Sequence, residues 1–360
     1  MMKNRFVSVL FVFLLLSSCS GKPKQIELGE VTTISKPVRE FLQADDVNRI
    51  DEFADGTAEH SLPDPVRLSY KGKQNAEALA EVSLDPSFTE SHILNFKGPY
   101  FDFYNGLCGK EYFIRLSEKK EKLSQADTYH FTIRNEAPRM IYLDGVTNVR
   151  DIGGWIVGEK KIRQGLLYRG SGLNKAYRNG NVSLYLTDAG VSTLTNDLGV
   201  THELDLRMNM DKDGRNEIGG MNDAVFPQIR YTNISWDYRN LNDFLSDTKP
   251  EQYQAMFSYL ADKKNYPLYL HCSHGTDRTG VLCFLIEALC GLDRKSLKID
   301  YILSAFGNIQ GKRTASTIDT YLADLSSYEG TTDQEKAFSF LKEKGVDEKE
   351  IQAVKNLFLA

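Results

Sequence analysis

Apolar and polar positions along this chain fall into three regimes. An apolar run from Phe6 to Leu16 follows a basic head with Lys3 and Arg5 and gives way to small residues. From 48 to 137 the chain is a series of short runs, "PVRLSYKG", "EALAEVSL", "HILNFKG", "KEYFIRLS" and "TYHFTIRN", separated by clusters of Gly, Asp, Pro and Ser. In the last of these Tyr129, Phe131 and Ile133 alternate with Thr128, His130 and Thr132, the period of a half-buried strand. Beyond "EAPRM" strands alternate with helices. "TDAGVSTLTNDLG" opens on a capping Thr187, sets Val191, Leu194 and Leu198 on one face, and stops at Gly199. "VTHELDLR" reads as a strand with Leu204 and Leu206 on one side, "EQYQAMFSYLAD" as an amphipathic helix, and "YPLYLHC" as a buried strand. The tail predicts helices over 294–306, 315–327, 332–344 and 347–358.

Repeated strand-then-helix order predicts an α/β unit, a mostly parallel central sheet flanked by helices, with ligands at the carboxyl ends of the strands. The short runs before it predict a small all-β sandwich, whose organisation resembles a fibronectin type III or immunoglobulin-like module. No chemical constellation lies in it, so it reads as a spacer or as a docking domain for an unidentified partner. The expected divisions are a leader over 1–18, a polar tether over 19–47, the sandwich over 48–137 and the catalytic unit over 138–360. The first apolar run is shorter than the about 20 residues a bilayer span needs, and its layout is that of a secretory signal. Leu16-Ser17-Ser18-Cys19 resembles a bacterial lipobox, which implies lipidation of Cys19, and Ser20 after it resembles lipoproteins sent to the outer membrane.

Export places Cys108, Cys272, Cys283 and Cys290 in an oxidising compartment, yet their spacing matches no small disulfide scaffold. Cys283 and Cys290 fall on an apolar helix and are expected as packed thiols. No Cys/His spacing suggests a metal site. The net charge of −5 argues against a general nucleic-acid binder and leaves room for a positive pocket.

Chemistry concentrates in "LYLHCSHGTDRTGVLCFL", residues 268 to 285, where a strand passes through a tight loop into an apolar helix. A cysteine at such a place faces the helix dipole and unpaired backbone N–H groups, which favour thiolate over thiol. The same groups cradle a tetrahedral oxyanion. Gly275 lets the backbone curl, and Arg278 offers a planar fork for two phosphoryl oxygens. Thr279 brings a hydroxyl close to the sulfur, and Gly280 lets the helix start close against the sheet. These parts describe a covalent phosphoryl-transfer site that needs no metal or cofactor. Its leaving oxygen needs a proton, so an aspartate is expected nearby.

His271-Cys272-(x)5-Arg278-Thr279 resembles the signature of the protein tyrosine phosphatase superfamily, with Gly275 and Asp277 placed as in its bacterial tyrosine, dual-specificity and lipid-phosphatase-like branch. "TNVRDIGGW" (147–155), "GLLYRGSGL" (165–173) and "ELDLRMNMD" (203–211) are similar to further motifs of that branch and run in the same order. The resemblance implies that Cys272 becomes phosphocysteine, that Arg278 binds the phosphoryl oxygens, and that Thr279 helps the thiolate leave. It implies a cradle of backbone N–H groups from Ser273 through His274, Gly275, Thr276 and Asp277 to Arg278, with His271 orienting the loop. The acid is Asp277, inside the loop, or Asp237 in "SWDYRN", which resembles a movable-loop motif without its proline.

Asp205 and Arg207 read as an ion pair under the loop, Arg150 and Asp151 similarly, and Asn148 as a turn residue. Thr276 stands where many relatives carry a lysine associated with phosphoinositide activity. The expected substrate is therefore phosphotyrosine or another phosphomonoester. An inositol polyphosphate is the alternative within enzymes, and a surface lipoprotein that binds a phosphorylated ligand without turnover is the alternative outside them.

Overall fold

The strand-forming runs of the N-terminal region appear as β1 (Gln25–Val31), β2 (Val66–Ser69), β3 (Glu77–Ser83), β4 (Ser91–Lys97), β5 (Tyr100–Phe103), β6 (Glu111–Ser117) and β7 (Thr128–Ile133) in the computed structural model. The structure describes residues 23–173, 186–208, 229–236, 245 and 248–359; Cys19 and Asp237 lie outside them. Five of these strands form one sheet in the order β1-β7-β6-β3-β4, and β2 pairs with β5 in another. Alternation sets Ala80, Val82, Tyr112, Ile114, Leu116, Phe131 and Ile133 against Val66, Leu68, Phe101 and Phe103, so the two sheets share one apolar core.

The polar tether expected over 19–47 is corrected by the structure. Gln25–Val31 is an edge strand in parallel pairing with β7. Lys36–Leu42 is a helix that drives Val38 and Phe41 into the core of the C-terminal unit, where Phe41 meets Phe306 with ring centroids 5.6 Å apart. Ile34, Ile50 and Ala54 are buried in the same core. Neither element leaves a local pattern in the sequence, because their partners are remote along the chain. An edge strand exposed on both faces shows no alternation, and its stability comes from backbone pairing.

The C-terminal sheet comprises β8 (Arg139–Met140), β9 (Arg150–Asp151), β12 (Leu167–Gly170), β13 (His202–Asp205), β14 (Arg230–Asn233) and β15 (Leu268–His271), with a small hairpin of β10 (Ile156–Val157) and β11 (Lys160–Lys161) beside it. Its order is β14-β13-β15-β12-β9-β8, parallel through β12 and antiparallel from there to β9 and β8. It is a mixed sheet. Register aligns Asp205 and Gly170 with His271, so β13, β15 and β12 end together beneath the loop that follows.

The tail helices are Arg294–Ile302, Ser316–Leu325, Asp333–Glu343 and Glu348–Phe358. Asp293, Thr332 and Asp347 cap three of them with side-chain hydrogen bonds, Thr332 in a capping box with Glu335. The helix expected over 294–306 tightens into a 3₁₀ turn at Leu303–Phe306. That expected over 187–199 divides into an α-turn, Asp188–Ser192, and a π-turn, Thr193–Asp197, with Leu198 N–H donating to Thr193 O.

The β-rich region is fastened to the C-terminal sheet. Arg139 donates to Asp151 Oδ2 at 2.7 Å and to Gly106 O at 3.0 Å, while Cys108 and Gln164 exchange hydrogen bonds at 2.9 and 3.0 Å. Arg139 and Asp151 are both buried, so losing either would strand a charge in the junction.

Candidate active site

The period of the strand decides what surrounds the cysteine. In β15 and just beyond, Leu268, Leu270 and Cys272 face the core that holds the helix Asp277–Cys290, while Tyr269 and His271 face the other way. In β13 Leu204 and Leu206 join the first face, leaving Glu203 and Asp205 to meet His271. His271 Nε2 lies 2.8 Å from Glu203 Oε1, and Nδ1 lies 3.0 Å from the carbonyl of Cys272 and 3.7 Å from Asp205 Oδ1. A carbonyl and two carboxyl groups can all accept from the ring, surroundings that favour its protonated form. Burial opposes its charge, but Asp205 and the hydrogen bond to Glu203 outweigh that and hold it above the ordinary histidine value. Asp205 in turn sits below the usual carboxylate range, because His271 and the Arg207 hydrogen bonds overcome its burial. Arg207 reaches it through Nε at 2.9 Å and Nη2 at 2.7 Å, the ion pair expected from sequence.

The loop itself is held from outside. Asn148 donates to His274 O at 3.1 Å and Gly275 O at 3.2 Å. Arg169 Nη2 donates to Gly275 O at 3.0 Å and Thr276 O at 3.4 Å, and Gly172 N–H donates to Ser273 O at 3.1 Å. A trans peptide sets its N–H opposite its C=O, so carbonyls drawn outward turn the N–H groups of His274 through Asp277 inward. That is the geometry of an anion nest. Gly275 has φ +68°, and a Cβ there would lie 2.0 Å from Gly170 O, so only glycine fits. At Gly280 a Cβ would meet the ring of Tyr301 at 2.9 Å; the close approach is to that side chain as well as to Arg169 behind the loop.

Cys272 is 3% exposed. Burial pushes its thiol up, yet the Arg278 guanidinium, then the hydroxyl and backbone N–H of Thr279, outweigh it and hold the thiol below its ordinary value. Thr279 Oγ1 is buried without an oxygen or nitrogen partner, which leaves its proton for the sulfur. Cys283 and Cys290 are pushed up to about 12 by burial, which outweighs Arg169 and Arg150 at the first and Lys355 at the second, as expected of packed thiols. The four described cysteines form no disulfide.

Asp277 stands at the first turn of the helix with its carboxylate turned to Arg313, which donates from Nε at 2.8 Å and Nη2 at 2.9 Å; Tyr301 adds a hydrogen bond at 3.2 Å. Thr276 is fully buried, its hydroxyl directed at His274 O. Arg150 and Asp151, neighbours in sequence, take opposite faces of β9: Asp151 pairs with Arg139, and Arg150 pairs with Asp300 at 2.9 Å. Asp300 also holds Arg169 at 2.7 Å and so supports the guanidinium that grips the loop. Asn148 has φ +60°, a turn residue as expected, but its amide also clamps the loop.

Glu203, Arg169, Asp300 and Arg313 had no assigned role in sequence. A signal existed for three of them: each charge stands in an apolar strand or helix, Leu167-Tyr168-Arg169, Glu203-Leu204 or Ile299-Asp300-Tyr301-Ile302, where burial demands a partner. Arg313 lies in a loop and offers none.

A thiol depressed within an anion nest beside a guanidinium defines the site of a cysteine-based phosphatase. The chain belongs to the tyrosine phosphatase family, whose model matches residues 141–359. Among solved structures it is similar to the core catalytic domain of the PP-IP phosphatase SIW14 of S. cerevisiae, at 18% identity over 48% of this chain and 85% of that one, with a TM-score of 0.31. It is also similar to TpbA of P. aeruginosa, at 14% identity over 55% of this chain and 88% of that one, with a TM-score of 0.27. No curated protein matches the chain.

Proposed function

We propose that this protein hydrolyses phosphomonoesters, phosphotyrosine first among them, through a phosphocysteine on Cys272. The observation that carries the reading is the depressed thiol of a buried cysteine, in a loop whose carbonyls are drawn outward by Asn148 and Arg169. In the first step the thiolate attacks phosphorus, the S–P bond forms, and the P–O bond to the leaving group breaks. The inward N–H groups and Arg278 stabilise the charge on the equatorial oxygens, and an aspartic acid gives its proton to the leaving oxygen. In the second step water attacks phosphorus, the same aspartate takes a proton from it, and the S–P bond breaks with the Thr279 hydroxyl stabilising the departing thiolate.

Asp277 and Asp237 are both candidates for the acid. Asp277 must leave Arg313 to serve, because both of its oxygens accept from that guanidinium. The burial of Thr276 supports a compact phosphomonoester over a polyanionic headgroup, since this position offers no cation to a second phosphate. With lipidation at Cys19, the enzyme would work exported and anchored at the outer membrane, its β-rich region acting as a fibronectin-like docking module.

Hydrolysis of para-nitrophenyl phosphate and of a phosphotyrosine peptide in EDTA tests the reading. Turnover that survives the chelator and is abolished in Cys272→Ser is expected. Strict dependence on added metal, or turnover retained in Cys272→Ser, would overturn it. Asp277→Asn should slow the peptide more than the activated aryl ester if Asp277 is the acid.

A further inference from the structure

The turn that holds the phosphate loop is built by residues from far upstream. Ser61 Oγ accepts the backbone N–H of Asn148 at 3.3 Å across 87 positions of sequence. The same hydroxyl donates to Glu59 Oε1, and Ser61 N–H donates to that oxygen at 2.9 Å. Glu59 Oε2 accepts from the hydroxyl of Thr147, whose oxygen receives Asn308 N–H at 2.9 Å. One carboxylate thus gathers Ser61 and Thr147, and Ser61 holds the N–H side of the peptide that enters Asn148 while Ser171 N–H holds its carbonyl side at 3.1 Å.

Asn148 is fully buried and sits at φ +60°, a conformation that costs a non-glycine residue energy and persists where its surroundings hold it. The reward is the direction of its amide. Nδ2 reaches His274 O and Gly275 O, while Oδ1 accepts from Arg150 at 2.6 Å. The stretch that delivers Glu59 and Ser61 is itself sewn to the catalytic unit. Gly56 N–H donates to Ala305 O at 2.8 Å, His60 N–H to Phe306 O at 2.6 Å, and Gly56 O accepts Ile309 N–H at 3.0 Å. Glu59 and Ser61 both precede the family match over 141–359.

We propose that Glu59 and Ser61 are positioning residues of the phosphate loop, which they hold through Asn148, so that the N-terminal stretch completes the oxyanion site. This rests on the reading of that loop as the phosphate site. Removing the Ser61 hydroxyl leaves the buried N–H of Asn148 unpaired and takes from Glu59 one of the donors that fix the carboxylate holding Thr147. The amide of Asn148 then shifts, the carbonyls of His274 and Gly275 relax inward, and the nest loses affinity for an anion.

The test uses the full chain and reads inorganic phosphate binding by calorimetry beside kcat and KM for para-nitrophenyl phosphate. Ser61→Ala should weaken phosphate binding about tenfold, the scale of one buried polar group left without its partner. KM should rise in step. Ser61→Thr, which keeps the hydroxyl, should restore binding, and Glu59→Gln should fall between because its amide nitrogen cannot accept. His60→Ala, an exposed side chain on the same stretch, should bind like wild type. If Ser61→Ala lowers the unfolding midpoint yet binds phosphate as wild type does, the positioning role is wrong. An insoluble Ser61→Ala leaves the comparison of Glu59→Gln with Ser61→Thr, and equal affinities there overturn the proposal too. Wild type that binds phosphate but turns nothing over would sink the enzymatic reading and leave this one standing.

Discussion

Asp300 and the pair Glu203–Asp205 are buried carboxylates in the shell behind Cys272, on opposite faces of the same sheet. Asp300 faces two guanidiniums, Arg150 and Arg169, and Arg169 passes its grip to the carbonyls of Gly275 and Thr276. Glu203 and Asp205 face the His271 ring and Arg207, and that ring belongs to the residue just before Cys272. The first cluster therefore sets the shape of the loop, and the second holds the strand ends beneath it and favours a positive charge on His271. Glu287 adds to the contrast. Burial, then Asp300, pushes its carboxyl well above the carboxylate range.

Breaking the first cluster should cost most. Asp300→Ala leaves two buried guanidiniums without their carboxylate, and a loss of about 3–5 kcal/mol in urea unfolding is expected. A loss below about 1 kcal/mol would mean that water or rearrangement compensates, and that the cluster does not fix the loop.

Disturbing the second cluster should cost less and should depend on pH. The folded value of His271 is raised above its ordinary value near 6.5, so its stabilisation is complete below about pH 6.5 and is lost as pH rises through the folded value. Glu203→Gln removes one source of that shift. Wild type should therefore exceed the variant by about 1–3 kcal/mol at pH 6, the scale of a hydrogen bond to a charged group, with the gap narrowing toward alkaline pH. A gap that widens as pH rises would show that His271 is neutral in the folded state.

The same comparison explains what sequence could reveal. Cys272, Gly275, Arg278 and Thr279 sit within one short stretch whose chemistry is local, so their convergence needed no fold. The tail helices were equally legible, because Asp293, Thr332 and Asp347 cap runs with helical periodicity. The groups that shape the loop were not. Asn148 meets it across 126 positions and Arg169 across 106, and no local pattern carries a contact of that range. Asp205 and Arg207 were legible as a pair because two residues along a strand share a face. Arg150 and Asp151 are successive, and the same rule sends them to different partners. The sheet order also depended on β14 and β8, short segments of four and two residues whose place comes from pairing rather than from their own composition.

Alkylation of Cys272 by iodoacetamide across pH, with and without inorganic phosphate, tests most directly whether the loop is an anion nest around a thiolate. Reaction should set in well below the free-thiol value of about 8.5, and phosphate should protect. The Arg278→Ala variant should react only at higher pH, because it lacks the neighbour that does most to lower the thiol. Alkylation of wild type that begins only near or above about 8.5, unaffected by phosphate, would contradict the site.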